Sequence, residues 1–216
     1  NVQNKNQLKY ATIPENNSSK TPSKQVIKKQ KKSPKVLFTS GQYGQAIDLI
    51  NTNLKSNIDN DKLIFLKGRS QLMLNQYEKA ASTFLDALAI KMDSDYLNGL
   101  GYAYTKLKQT DKALAAYNKA ISINNKNSYA YFNSGLLLEN KGNEKRAADY
   151  FYSAGTSSLL NKDFLKANNA HDALQRLSKG KSIILEKSNK LGNLIKELTE
   201  DKDNDFKIIK VNTKGD

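Results

Sequence analysis

The chain has no cysteine at all and a single histidine among its 216 residues. Without cysteine there is no disulfide, no thiolate metal site and no cysteine nucleophile, although the absence does not choose between cytosol and periplasm. His171 alone cannot assemble a zinc site from the usual ligands, and on an amphipathic helix a lone histidine reads as a boundary residue. The glycines are spread along the chain at regular intervals, so no phosphate-cradling G-x-G-x-x-G or G-x-x-x-x-G-K-S/T loop is present. No catalytic residue, metal site or cofactor is implied, and the chain is expected not to be an enzyme. No apolar run approaches the roughly 18 residues that cross a bilayer.

Proline is scarce and confined. Pro14, Pro22 and Pro34 are all there are, and none follows Phe38. Over the same opening stretch acidic residues are nearly missing: residues 1–40 carry nine lysines against Glu15, a net +8 of the chain's formal +14. Mixed Asn, Ser, Gln, Pro and Lys cannot bury enough apolar surface to order itself. Residues 1–35 therefore read as a disordered basic linker, extended by its own charge. A pI near 9.6 and the run Lys28–Lys32 also suit an anionic surface or nucleic acid. That alternative is weaker, because the basic density sits in the linker and not on one folded face. The chain starts at Asn1, which is expected of a processed or trimmed chain and leaves room for an export or lipid-anchor signal ahead of it.

What is present from Phe38 onward is a repeat. Small residues fall at Ala46, Ala80, Ala113 and Ala147, in steps of 34, 33 and 34. Ile50, Phe84, Tyr117 and Phe151 follow in step, and three places further come Asn53, Ala87, Ala120 and Ala154. Gly68, Gly101 and Gly135 each stand twelve residues ahead of an alanine of the first track. Two helices and a short turn recur at that period. Where antiparallel helices cross closely, Gly or Ala lets the backbones approach and a bulky ring fills the space beside them.

These places resemble the tetratricopeptide repeat family, whose unit carries W-x2-L-G-x2-Y in its first helix and A-x3-F-x2-A in its second. In residues 94–127 they hold Leu97, Leu100, Gly101, Tyr104, Ala113, Tyr117 and Ala120; only the tryptophan and the closing proline depart. Units 61–94 and 128–161 keep the second-helix half, and residues 36–60 read as a leading half repeat whose first helix Pro34 spoils. The expected fold is an all-α solenoid of antiparallel helix pairs over 36–161. Amphipathic capping helices follow over 162–200 and a tail over 201–216.

The resemblance implies a protein-binding scaffold without a reaction of its own. It places first-helix residues on a concave face, implying a partner groove of Phe65, Arg69 and Met73, then Asn98, Tyr102 and Lys106, then Tyr129, Phe132 and Leu136. Aromatic anchors beside cations suit an extended peptide or a helix, although rings at helical spacing are also common core residues. The family's chaperone-tail carboxylate clamp is not reproduced, since its places hold Phe65, Arg69, Gly99, Tyr129 and Asn133. A basic Asn/Ser/Lys/Pro spacer ahead of a short array is similar to bacterial envelope lipoproteins of tight-adherence pilus or secretion assembly. It carries the expectation of a periplasmic or outer-membrane-associated protein, with a cytoplasmic one as the alternative.

Overall fold

The computed structural model describes residues 33–56 and 60–200. The proposed linker over 1–32 and the tail over 201–216 lie outside them. Among the described residues there are ten helices and no strand. They run α1 (Pro34–Thr39), α2 (Tyr43–Leu54), α3 (Asp61–Met73), α4 (Tyr77–Ile90), α5 (Ser94–Lys106), α6 (Thr110–Ile123), α7 (Ser128–Asn140), α8 (Glu144–Leu160), α9 (Phe164–Leu177) and α10 (Ser182–Glu200). Each helix packs on the next, and α3, α5 and α7 also lie side by side. This is an α-solenoid.

The alternation of small and large residues has a direct steric cause. Phe84, Tyr117 and Phe151 are fully buried, and each ring lies flat against a glycine of the preceding helix. A Cβ added at Gly68 would stand 2.7 Å from the Phe84 ring, one at Gly101 2.6 Å from Tyr117, and one at Gly135 2.7 Å from Phe151. Those distances are shorter than side chains tolerate, so each pair can close only because glycine stands there. The alanines behind the rings, Ala80, Ala113 and Ala147, are wholly buried for the same reason. Inside this packing the Tyr117 hydroxyl keeps a hydrogen-bonding contact with Thr105 Oγ1 at 3.0 Å, and burial pushes its ionisation well above the ordinary phenol range.

The turns inside pairs share one geometry. Gln76 N–H donates to Gln71 O, Gln109 N–H to Tyr104 O and Asn143 N–H to Leu138 O, each at 2.9 Å. The residue before each donor takes a positive φ: Asn75, Lys108 and Gly142. That combination is the Schellman closure of a helix C-terminus. Turns between pairs depend on side-chain caps instead. Asn127 Oδ1 accepts from Ala130 N–H at 3.1 Å while its Nδ2 donates to Ser94 Oγ at 2.7 Å and to Asp95 Oδ1 at 3.1 Å. One buried amide thus starts α7 and ties it to α5, in a chain whose repeats lack the family's usual closing proline.

Pro34 does not abolish the first helix of the leading pair. Counting back 34 residues from α3 places that helix at 27–39, and α1 keeps only its last six residues, Pro34–Thr39. Proline has no N–H and a φ suited to a helix start, so it sits at the first helical position with Ser33 Oγ accepting from Val36 N–H. Helix α1 therefore takes in Pro34 and Lys35, which were assigned from sequence to the linker.

The spacing changes after α7. Helix α8 has 17 residues against 13 or 14 in each of α3 to α7, and the turn that follows it, with Lys162 at positive φ and Asp163 N–H donating to Ser158 O, repeats the within-pair geometry. In the last pair the sizes are exchanged: a Cβ at Gly192 of α10 would meet His171 of α9 at 2.8 Å. Helix α10 lies against α8 and α9, burying Ile184, Leu191, Ile195 and Leu198. Lysine, glutamate and asparagine dominate its other face.

Candidate functional site

The first helices put their residues on a common face in register with the repeat. Of the nine residues expected there, Met73 and Tyr129 are the open ones, 46% and 37% exposed. Phe65 and Phe132 are drawn into packing. Phe65 stacks on Tyr96 at 4.5 Å between ring centroids and tilts against Phe84 at 5.8 Å. Phe132 tilts against Phe151 at 5.3 Å. Both are partly buried against the core, as is Leu136. Their rings hold neighbouring helices together and leave one edge on the face.

Tyr96, which supports Phe65, also joins two pairs, its hydroxyl donating to Asp61 Oδ2 at 2.7 Å. That bond lowers the Asp61 carboxyl below its usual range.

The remaining expected residues are half-buried and polar, and each is positioned by a neighbour. Asn98 Oδ1 accepts from Asn133 Nδ2 at 2.9 Å, an amide pair that spans α5 and α7. Lys106 Nζ stands 5.2 Å from the Tyr102 ring centre one turn away; desolvation, with a smaller contribution from Tyr77, raises the Tyr102 phenol to about 12. Arg69 lays its guanidinium over the Phe38 ring at 4.6 Å, with Phe65 at 5.8 Å. Such cation–ring contacts contribute about 0.5–2 kcal/mol and fix the orientation of the cation.

Two contributors were not expected from the sequence. Phe38, on α1, occupies the place that Leu72 takes 34 residues later, a signal hidden once Pro34 is read as ending the half repeat. Lys166, on α9, holds its Nζ 4.3 Å from the Tyr129 ring centre and pairs with Asp163. Burial opposes ionisation of Asp163, but side-chain and backbone hydrogen bonds from Lys166 outweigh it and its carboxyl is lowered. The longer α8 moves this lysine out of the 34-residue register, so counting places does not find it. Arg176 of α9 grips Glu139 of α7 with two hydrogen bonds, at 3.0 and 2.8 Å. The face thus extends from α1 to α9.

Chemically this arrangement offers anchored rings, oriented amides and cations, two of them paired with carboxylates, and among the described residues there is no cluster of three metal-ligating side chains. No described helix is long and apolar enough to cross a membrane. The fold and the face define a helical-repeat array that sets side chains of successive first helices on one side.

Comparison with known proteins points to one repeat type. The family model described as TPR repeat matches residues 101–142, the stretch holding the end of α5 and all of α6 and α7. A protein of Methanocaldococcus jannaschii named TPR repeat-containing protein MJ1428 is 29% identical over 115 residues, 53% of this chain and 20% of that protein. The chain therefore spans about a fifth of the curated relative it matches. Among solved structures, one titled as MamA superimposes with a TM-score of 0.56 at 16% identity, over 76% of this chain and 96% of that one. MamA from Desulfovibrio magneticus RS-1, residue 41 to its end, gives 0.52 at 23% identity, over 57% and 75%. These likenesses show the shared solenoid fold.

Proposed function

We propose that this chain is a scaffold that holds a segment of another protein against the face built by α3, α5, α7 and α9. The observation that carries the reading is Tyr129: a large aromatic side chain, partly open to solvent, whose ring is fixed from one side by Lys166. A ring already ordered before binding loses little entropy on contact, which is the property of an interface anchor. Met73, exposed on the same face two pairs away, supplies an adaptable apolar contact.

Replacing Tyr129 by alanine tests this. Capture of peptides on a random octapeptide array should weaken by about 1–2 kcal/mol, while the melting temperature stays within a few degrees of wild type, because the ring is not core. A fall in melting temperature with unchanged capture would assign Tyr129 to packing and remove the anchor.

The setting we propose is assembly of a bacterial envelope structure such as a pilus or secretion apparatus, with the basic stretch ahead of Ser33 as a tether and α9 and α10 as the array's cap. The tether's composition and its likeness to envelope lipoproteins support this setting. Cell fractionation separates it from a cytosolic role by the compartment in which the full chain is recovered.

A further inference from the structure

An arginine that leaves water normally takes a carboxylate with it, since burying an unpaired charge is costly. Arg69 is half-buried without one. Its guanidinium is held between the Phe38 and Phe65 rings, and desolvation lowers its proton affinity below that of a free guanidinium. The groups whose charges act on it are Tyr129 of α7, Asp95 of α5 and Tyr43 of α2. Among the described residues no carboxylate oxygen lies within the 4.0 Å of an ion pair with it. Asp95 is held elsewhere by Asn127, and Glu139, the other acid on the face, is held by Arg176.

The two rings offer the guanidinium no oxygen or nitrogen acceptor for its N–H donors. Those donors form a planar fork that matches a carboxylate with two parallel bonds. One of the two rings, Phe38, comes from the short helix α1 that begins at Pro34.

Resting on the scaffold reading above, we propose that Arg69 receives the carboxylate of an aspartate or glutamate side chain, so that the partner segment carries an acidic residue where it crosses α3. An acidic side chain is favoured over a chain end because the face continues past Arg69 to α1. A segment lying over Tyr129, Asn98 and Arg69 in turn need not stop there. Lys106, an oriented cation on the same face, complements an acidic segment.

The experiment uses the full chain on an octapeptide array in which every position is varied between Glu and Gln, each peptide made with a free and with an amidated C-terminus. Wild type should prefer Glu to Gln about tenfold at one register, the size expected of a charge-assisted pair, with either terminus. In Arg69→Met that preference should fall to about one, and in Arg69→Lys it should be only partly kept, because an ammonium cannot form the fork. Melting of each variant is measured alongside, and Arg69→Gln replaces Arg69→Met if the latter does not fold.

Equal capture of Glu and Gln by wild type overturns the proposal, as does a preference unchanged by Arg69→Met. A dependence on the free C-terminus that disappears with Arg69 overturns the side-chain assignment in favour of a terminal carboxylate. If peptides are captured through Tyr129 without any acid preference, this proposal alone fails; if no peptide is captured at all, the scaffold reading fails with it.

Discussion

Phe84→Ala is expected to lower the stability of the chain by about 3–5 kcal/mol, the range for removing a buried aromatic side chain. The value should fall toward the upper end because the site cannot collapse. The ring touches glycine on two sides: a Cβ at Gly68 of α3 or at Gly99 of α5 would each stand 2.7 Å from it. Neither glycine has a side chain to move into the space. Because α3 and α5 belong to successive pairs, the loss should also loosen the junction between them, so that chemical denaturation of the variant separates into two transitions. Urea unfolding followed by circular dichroism measures both effects. A cost below about 1 kcal/mol, in the range of surface substitutions, would show that this ring is not the joint the packing describes.

Gly99→Ala is the complementary experiment and is expected to cost about 1–3 kcal/mol. An alanine in a helix would ordinarily stabilise it by about 1 kcal/mol over glycine, so a net loss requires the close contact to outweigh propensity. The Phe84 ring cannot retreat from the new methyl group, because Gly68 closes the opposite side at the same distance. Shortening the ring in the same chain, as Gly99→Ala with Phe84→Leu, should recover part of the loss, and the double-mutant cycle should show coupling. Stabilisation by Gly99→Ala alone would mean that the two helices are farther apart than the structure places them.

The helix pairs were legible because their packing leaves a chemical trace: glycine under a ring and alanine behind it, at a period close to 34. Gly99 left no such trace, since its counterpart in the next pair is Asn133, and only the structure shows that Phe84 needs a glycine on both sides. The half-length α1 was hidden by a sound rule applied one position too far. Proline breaks a helix interior but begins a helix well, and Pro34 does the latter.

For the candidate face, the resemblance to the repeat family implied which first-helix residues share one side of the array. It could not tell how far each ring sinks between helices. Phe65 and Phe132 therefore fit the pattern as well as Tyr129 does, yet two of the three are partly spent on Tyr96, Phe84 and Phe151. Contributions from outside the register, Lys166 above all, depend on the greater length of α8, 17 residues against 14 in α4 and α6, and have no counterpart in the earlier units. Arg69 was legible as a cation of the face, but its contact with Phe38 depends on a helix that the proline seemed to exclude.

The most direct test of the central claim is site-specific photocrosslinking of the full chain with p-benzoylphenylalanine, placed at Tyr129 on the first-helix face or at Leu85, an exposed position on α4. The account expects a discrete adduct from position 129, absent from position 85, with the crosslinked segment of the partner containing an acidic residue. Adducts from position 85 together with none from position 129 would contradict it, because the partner would then be held by the second helices.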